Sequence, residues 1–326
     1  MPVKIRAIIG LLLALLATPI RSADAAAITA GPMLGPVAMR EAKLWIRTNG
    51  PADARIAYAP AEAKADALRH TTATLRTRPA EAHTATFTLR DVEPGRTYRY
   101  TVHLDGEATD ATGEFTTPAF YHGRQPPPDI RIAAGGAHYV AEEGFEPPYQ
   151  NLGGGNGVFE TIREKNPDLM LWVGDTAHLR QSDWTSRAGY LKRFARARGK
   201  AELQALLKAV PHYGIWGARD YAYHDAGRLY SHRSDAEAAF RAFWPRPVDI
   251  PAPGESPPVS GFPTWISSSS IPAPTATNIP SPANVPASSA TVKLSGSGAP
   301  SAAAPRPLKS SWPEHPSSTP PTRRKI

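Results

Sequence analysis

Asp175 ends the stretch of this sequence whose residue types are best suited to chemistry. Gly174 and Asp175 directly follow the apolar run Leu169–Val173, and an amphipathic helical pattern covers Gly157–Lys165. An unbroken apolar run of this length indicates a strand buried on both faces of a parallel sheet. Because Gly174 lets the chain turn, the carboxylate of Asp175 is expected at the carboxyl end of the strand, where such sheets bind ligands. The alternative is that Gly174-Asp175 is only a turn.

The elements around this strand predict an α/β domain over residues 129–246. Ser234 and Glu237 have the spacing of a capping box before the last predicted helix. The order strand, helix, strand, helix, strand is the beginning of a doubly wound parallel sheet, and the segment is long enough for only part of one. The other predicted elements are strands at residues 129–134 and 212–216 and helices at residues 190–197, 201–209 and 238–244.

Residues 28–118 read as short alternating strands separated by turn residues, which predicts one small β-sandwich. The segment Leu89–Val102 has the pattern L-x-x-V-x-P-G-x-T-Y-x-Y-x-V. It resembles the tyrosine-corner region of fibronectin type III-like sandwiches, where a tyrosine hydroxyl bonds to the preceding turn. Tyr98 and Trp45 are predicted core residues, and no catalytic group stands out. The clearest strand segments are residues 43–48, 55–58, 84–89 and 115–118.

Residues 1–25 have the layout of a cleavable secretory signal peptide. Lys4 and Arg6 precede the apolar run Ala7–Ala17, and small residues follow at Ala23–Ala25. This run is shorter than the roughly 20 residues that a membrane-spanning helix needs. We therefore expect an exported protein, in the periplasm or outside the cell, without a stable membrane anchor.

Composition narrows the classes of ligand and partner. The 326 residues contain no cysteine, so no disulfide forms and no thiolate can bind a metal. The formal net charge of +8 could indicate a nucleic-acid partner. However, the arginines are scattered without a basic block interleaved with aromatic residues, so we expect a generally basic protein that does not bind nucleic acid.

Residues 247–326 hold 18 of the chain's 35 prolines, together with serine, alanine and threonine. Such a composition buries too little apolar surface to fold, so this tail is predicted to be disordered and without a sustained helix or strand. It is either a native linker-like extension or the out-of-frame translation of a GC-rich gene.

Between Ile28 and Trp244 the chain resembles the alkaline phosphatase D (PhoD-like) metallophosphoesterases. That resemblance implies a fibronectin-like sandwich, then a metal-dependent catalytic domain that hydrolyses phosphate monoesters and diesters. The order and spacing of several segments carry it. These segments are Val158–Ile162, Pro167–Asp175, Asp183–Arg187, Glu202–Leu207 and Ala239–Trp244.

The positions that carry chemistry in that family are where this sequence departs from it. The family's Gly-Ser-Cys, with an iron-binding cysteine, is here Gly135-Gly136-Ala137. Its Gly-Asp-Asn-x-Tyr becomes Gly174–His178, which keeps the bridging aspartate as Asp175 and lacks the tyrosine. Its Trp-Asp-Asp-His-Asp-Tyr becomes Trp216–Tyr221, and His224 stands where an asparagine is expected. The later half of the family's catalytic domain has no counterpart.

The resemblance implies a metal centre, iron with calcium, and Asp175 is its one retained bridging ligand. His138, His178 and His224 are imidazoles near the lost ligands, and imidazole with carboxylate suits zinc. The alternatives are therefore a zinc site rebuilt from these residues or no metal at all. Arg219 and Asp220 are candidates for phosphate contact at the edge of the site.

Two functions remain open at this point. The first is an exported, monomeric, metal-dependent hydrolase of small phosphate esters, with impaired or absent activity in this chain. The second is a non-catalytic secreted remnant or binding module that acts through its β-sandwich. Ala137, Gly217 and Ala218 favour the loss of activity, because a two-metal phosphatase must hold its ions about 3.5–4 Å apart and one aspartate cannot do so.

Overall fold

Two antiparallel sheets form the first part of the chain, and a mixed α/β unit forms the second. The computed structural model describes residues 25–64, 70–121, 123–124, 126, 128–142, 144–145, 157–223, 226–227, 229–245 and 290–294. The signal-peptide prediction, except Ala25, lies outside these residues. Within them, no helix combines the length and apolarity needed to cross a bilayer.

The strands of the sandwich are β1 Ile28–Val37, β2 Ala42–Thr48, β3 Asp53–Pro60, β4 His70–Thr71, β5 Leu75–Arg76, β6 Thr84–Leu89, β7 Thr97–Leu104 and β8 Glu107–Thr116, and a 3-10 turn covers Pro79–Glu81. They form a three-stranded sheet in the order β1-β2-β6 and a second sheet in the order β4-β3-β7-β8, with β5 also paired to β3. Apolar side chains alternate inward along the strands, as in β7, where Tyr98, Tyr100, Val102 and Leu104 are buried.

The tyrosine corner predicted from the sequence is present. The backbone N–H of Glu93 donates to the hydroxyl of Tyr98 at 2.8 Å, and Tyr98 stacks on Phe115 with ring centroids 5.4 Å apart. The hydroxyl thereby ties β7 to the turn before it, which explains the L-x-x-V-x-P-G-x-T-Y pattern in physical terms.

The α/β unit contains three parallel strands, β9 (Ile130–Gly135), β10 (Leu169–Val173) and β11 (His212–Ile215), in the order β11-β10-β9. Its elements are β9 Ile130–Gly135, α1 Val158–Glu164, β10 Leu169–Val173, α2 Arg187–Arg198, α3 Ala201–Ala209, β11 His212–Ile215, α4 Ala218–Tyr221 and α5 Arg233–Phe243. The predicted alternation of strands and helices is therefore confirmed. The side chain of Ser186 caps α2 by accepting from the N–H of Gly189 at 3.1 Å.

The start of α5 differs from the sequence prediction. The helix begins at Arg233 rather than at Ala238, and Ser234 lies inside it. The Glu237 carboxylate accepts from Arg233 Nε at 2.7 Å, one turn away, instead of reaching back to a capping backbone N–H. The predicted capping box is wrong because this i,i+4 ion pair uses the same glutamate within an earlier helical turn.

The tail prediction also differs from the structure at one place. Residues Ala290–Leu294 form β12, which pairs antiparallel with β9 in the register Val292 to Ile132. This strand lies at the edge of the α/β sheet beside β9. The expectation of a tail without strands is wrong for these five residues. The N–H and C=O groups on the open side of an edge strand can pair with an extended segment from a distant part of the chain. Residues 246–289 and 295–326 lie outside the described part of the chain.

Trp45 is buried as predicted, but it belongs to the core of the α/β unit rather than to that of the sandwich. Its indole N–H donates to the carbonyl of Ala242 at 2.7 Å, and its ring lies 5.8 Å from that of Phe243. Ala30 and Met33 of β1 belong to the same buried cluster. One sheet of the sandwich therefore helps to cover the helices of the second unit.

Candidate functional site

Three loops meet where the parallel strands of the α/β unit end. Trp172 of β10 pairs with Gly135 of β9 on one side and with Gly214 of β11 on the other. Because these register positions are level, the loop after β9, the loop after β10 and the loop after β11 come together at one edge of the sheet. We call this region the strand edge.

Asp175 lies at the strand edge, directly after β10. Gly174 has a φ of +101°, and a Cβ there would lie 2.8 Å from the Cα of Gly217, so only glycine fits this turn. Asp175 itself has a positive φ of +55°. Its Oδ1 accepts a hydrogen bond from the backbone N–H of Arg219 at 2.9 Å, so the carboxylate fastens the loop after β11.

Gly217 packs directly against this carboxylate. A Cβ built at Gly217 would lie 2.2 Å from Asp175 Oδ1 and 2.6 Å from the Asp175 nitrogen. Real Cβ atoms do not approach other atoms so closely. While Asp175 keeps this position, no side chain can occupy position 217, which is where the family resemblance implies a second carboxylate.

Asp220 is fully buried, and its carboxylate joins the loop after β10 to the loop after β11 through their backbone N–H groups. Its Oδ1 accepts from the N–H of Ala177 at 2.6 Å, and its Oδ2 accepts from the N–H of Gly217 at 3.1 Å. Burial raises the pKa of Asp220 above its ordinary value, although these hydrogen bonds act in the opposite direction. Both of its carboxylate oxygens therefore accept hydrogen bonds from backbone N–H groups.

The predicted histidine ligands pack on aromatic rings. His138 lies edge-on to Phe159, with ring centroids 4.8 Å apart, and His178 lies edge-on to Tyr139 at the same separation. Arg219 is exposed, and its backbone rather than its guanidinium contacts Asp175. The prediction for His224 lies outside the described residues.

Arginines that the sequence analysis did not single out fasten the strand edge from outside. Arg193, buried on α2, donates to the carbonyls of Ala177 at 3.0 Å and of Val140 at 2.7 Å, so it links the loops after β10 and β9. Arg180 donates to Glu142 at 2.7 Å and to Asp183 at 2.9 Å. Only the Arg180–Asp183 spacing of three residues could have suggested such a pair from the sequence.

Beneath the strand edge, a buried histidine is held neutral by its neighbours. The indole N–H of Trp172 donates to His212 Nδ1 at 2.9 Å, and His212 Nε2 lies 3.0 Å from the carbonyl of Leu206. Since an indole only donates, Nδ1 must accept, and Nε2 carries the proton. Burial lowers the pKa of His212 to about 4.

Arg198 lies beside this pair in the same interior. Its guanidinium carbon is 4.0 Å from the ring centroid of Trp244 and 5.6 Å from that of Trp172. Burial lowers the pKa of Arg198 to about 10. The aromatic rings offset only part of the hydration that this charge loses on leaving water, which agrees with the lowered pKa.

The described residues of the strand edge do not fit a two-metal centre. Ala137 stands where the resemblance implies a cysteine ligand, Gly217 and Ala218 stand where it implies carboxylates, and Arg219 brings a cation in place of an imidazole. Within the described ranges, no three side chains of His, Cys, Asp or Glu come together to hold a metal ion. The retained Asp175 already accepts from Arg219, and Asp220 is committed to backbone groups.

A family model matches the first part of the chain. Residues 25–121, which contain the sandwich, match the family model of a domain of unknown function, DUF7800. No curated protein sequence matches the chain.

Among solved structures, the chain is similar to the structure of PhoD, with a TM-score of 0.53 and 16% identity over 71% of this chain and 48% of that chain. The fold is metallophosphoesterase-like. The chain spans about half the length of the PhoD structure that it matches. The chain is also similar to the purple acid phosphatase PPD1 from yellow lupin (Lupinus luteus) seeds, with a TM-score of 0.49 and 16% identity over 67% of this chain and 40% of that chain. Its likeness to the third fibronectin III domain of the human KIAA0343 protein has a TM-score of 0.20, with 19% identity over 28% of this chain and 87% of that domain.

Proposed function

We propose that this chain is an exported, monomeric protein with a phosphoesterase-like fold that does not hydrolyse phosphate esters. One observation carries the proposal. The Cα of Gly217 packs so closely on Asp175 Oδ1 that an added Cβ would lie 2.2 Å from this oxygen. A pair of bridged metal ions needs several donor atoms around that carboxylate, and at this position the chain offers a glycine backbone instead.

Two further features support the proposal. Asp175 Oδ1 accepts from the N–H of Arg219 at 2.9 Å, and a metal ion at that oxygen would have to displace this bond. The carboxylate of Asp220 is buried and accepts from the N–H groups of Ala177 and Gly217. Both carboxylates thus hold neighbouring loops in place through hydrogen bonds, which is a structural role that needs no metal.

A hydrolysis assay with a matched variant tests the proposal. The purified full chain is supplied in turn with iron, calcium, zinc and manganese, and its turnover of a phosphomonoester and a phosphodiester is compared with that of Asp175→Asn. We expect equal, background rates for both proteins. Asparagine retains an oxygen acceptor for the Arg219 N–H, so the variant keeps the loop while removing the charge.

A metal-dependent rate that Asp175→Asn abolishes would overturn the proposal. It would favour instead a zinc site rebuilt from Asp175 with the imidazoles of His138, His178 or His224. In that case His178→Gln should lower the zinc content measured on the dialysed protein. Equal zinc content in the parent chain and in His178→Gln, together with no turnover, would support the proposal.

A further inference from the structure

A second concave surface lies between the sandwich and the α/β unit, on residues that the strand edge does not use. Its cavity volume is about 470 Å³, and its walls come from β5, β6, the 3-10 turn, α2 and α5. Each unit contributes two arginines to it, Arg76 and Arg78 from the sandwich and Arg187 and Arg241 from the helices. We call this surface the arginine groove.

The arginine groove carries a surplus of positive charge. Among the described lining residues, Glu81 is the single carboxylate. Arg187 donates to the neutral carbonyl of Ala80 at 3.1 and 2.8 Å, and the described residues give it and Arg78 no ion pair. These bonds fix the position of the Arg187 guanidinium without neutralising its charge.

The other two arginines are only partly neutralised. Arg241 lies 3.8 Å from Glu237, a carboxylate that already accepts from Arg233 at 2.7 Å. Arg76 pairs with Asp53 at 3.2 Å and lies 4.0 Å from Asp105, but all three side chains are about half exposed, so water screens these pairs. An anion that enters the groove would therefore meet guanidinium groups with unused donors.

The two walls are held together before any ligand binds. Trp45 of β2 donates to the carbonyl of Ala242 on α5 at 2.7 Å, and Arg187 of α2 bonds to the 3-10 turn. Small side chains at Ala85, Ala238 and Ala242 line the space between the arginines. Because the two walls are already joined, a ligand that contacts both does not have to bring them together.

We propose that the arginine groove binds a small molecule that carries two or more phosphoryl groups. Planar guanidinium groups match the geometry of phosphoryl oxygens and form paired, charge-assisted hydrogen bonds with them. A cleft of a few hundred Å³ has the size of a small-molecule site, so it has room for an organic part beside the anionic groups. This proposal is independent of the strand edge and of its lack of hydrolytic activity.

Isothermal titration calorimetry with inorganic pyrophosphate tests this proposal on the full chain, in buffer with a chelator so that no metal contributes. Arg78→Ser with Arg241→Ser removes one guanidinium from each wall at exposed positions. We expect this double variant to bind at least about tenfold more weakly, since each charge-assisted hydrogen bond contributes measurably to affinity. Arg40→Ser with Arg90→Ser is the matched control, because it removes the same charge from exposed positions outside the groove, and its affinity should stay within about twofold of the parent.

Thermal unfolding of both double variants shows whether they fold, and their midpoints should equal that of the parent. Equal loss of pyrophosphate binding in the groove variant and in the control would overturn the proposal, because general charge would then explain the affinity. No detectable binding by the parent chain would also overturn it. Binding of heparin in the absence of pyrophosphate binding would replace the small phosphorylated ligand with an extended polyanion.

Discussion

The interior of the α/β unit and its strand edge differ in what their polar residues do. In the interior, Trp172 and His212 satisfy each other, and Arg198 lies against two tryptophans. At the strand edge, Asp175 and Asp220 bind backbone groups of neighbouring loops. The interior therefore has the packing of a metallophosphoesterase-like fold, while the described residues of the strand edge bring together no three side chains that could hold a metal ion. The comparison teaches that the packing of a fold does not by itself determine the chemistry of the residues at its edge.

The largest expected effect comes from a substitution where the core of the α/β unit contacts the sandwich. Trp45→Ala removes a fully buried ring and its hydrogen bond to Ala242, and we expect it to lower the free energy of unfolding by about 3–5 kcal/mol. Urea denaturation followed by circular dichroism measures the loss. Trp45→Phe is the matched control, since it keeps most of the apolar volume and should cost much less. Equal costs for both would contradict the assignment of Trp45 to the shared core.

The second prediction uses pH to separate the interior from the edge. Because folding lowers the pKa of His212 from 6.5 to about 4, the contribution of neutral His212 to the free energy of unfolding is fully present above pH 6.5. This contribution is lost as the pH falls from about 6.5 to 4, because over that range His212 binds a proton in the unfolded chain but not in the folded chain. His212→Gln keeps one acceptor and one donor but does not titrate. The free energy of unfolding of the parent should fall more steeply over this range, by up to about 3 kcal/mol relative to the variant.

Asp220 opposes this trend, because a raised carboxyl pKa makes the folded chain bind a proton more readily than the unfolded chain on acidification. The comparison of parent and His212→Gln cancels that contribution, which both proteins share. Parallel stability curves for the two proteins between pH 7 and pH 4 would show that His212 is not held neutral.

The third prediction restores a lost carboxylate at the strand edge. Gly217→Asp places a Cβ 2.2 Å from Asp175 Oδ1, so we expect it to lower stability by about 1–3 kcal/mol through overpacking and to create no tight metal site. Gly217→Ala separates the steric effect from the charge and should cost a similar amount. Urea denaturation measures the stability, and calorimetry with zinc and manganese measures metal binding. A stable Gly217→Asp protein that binds either metal tightly would show that the loop moves readily.

The smallest expected effect concerns backbone strain at the same edge. Ala137 has a φ of +54°, in the left-handed region where a Cβ costs about 1–2 kcal/mol. Ala137→Gly should therefore raise the free energy of unfolding by about 0.5–1 kcal/mol, after the greater entropy of glycine in the unfolded chain is subtracted. Ala205→Gly, at an exposed position of α3, should instead lower it by about 1 kcal/mol. Effects of the same sign at both positions would show that Ala137 is not strained.

The sequence predicts elements whose cause is local and fails where the cause is distant. The tyrosine corner at Tyr98 and the helix over residues 201–209 follow from neighbouring residues, and both are confirmed. The start of α5 is an exception, because the ion pair between Arg233 and Glu237 is local, yet Ser234 and Glu237 also have the spacing of a capping box, which places the start of the helix too late. The strand at residues 290–294 depends on an edge more than 150 positions away in the chain.

The arginine groove shows the same limit more clearly. Arg76, Arg78, Arg187 and Arg241 are scattered along the sequence, and this scattering predicts a protein without a concentrated basic surface. Folding gathers them at one junction. Conversely, the departures at Ala137, Gly217 and Ala218 were visible in the sequence, but only the structure shows that Asp175 packs against the backbone of Gly217.

The indole of Trp45 has a consequence for cooperativity. Trp45 lies on β2 of the sandwich, yet it is buried among residues of the α/β unit, and β1 is fastened there too by the bond from Gly31 N–H to Gln204 Oε1 at 2.8 Å. The two units, which are separated in sequence near residues 119–128, are therefore energetically coupled. We expect them to unfold together in a single calorimetric transition. A sandwich cut free at residue 118 would present the apolar side chains of Ala30, Met33 and Trp45 to water and would tend to aggregate.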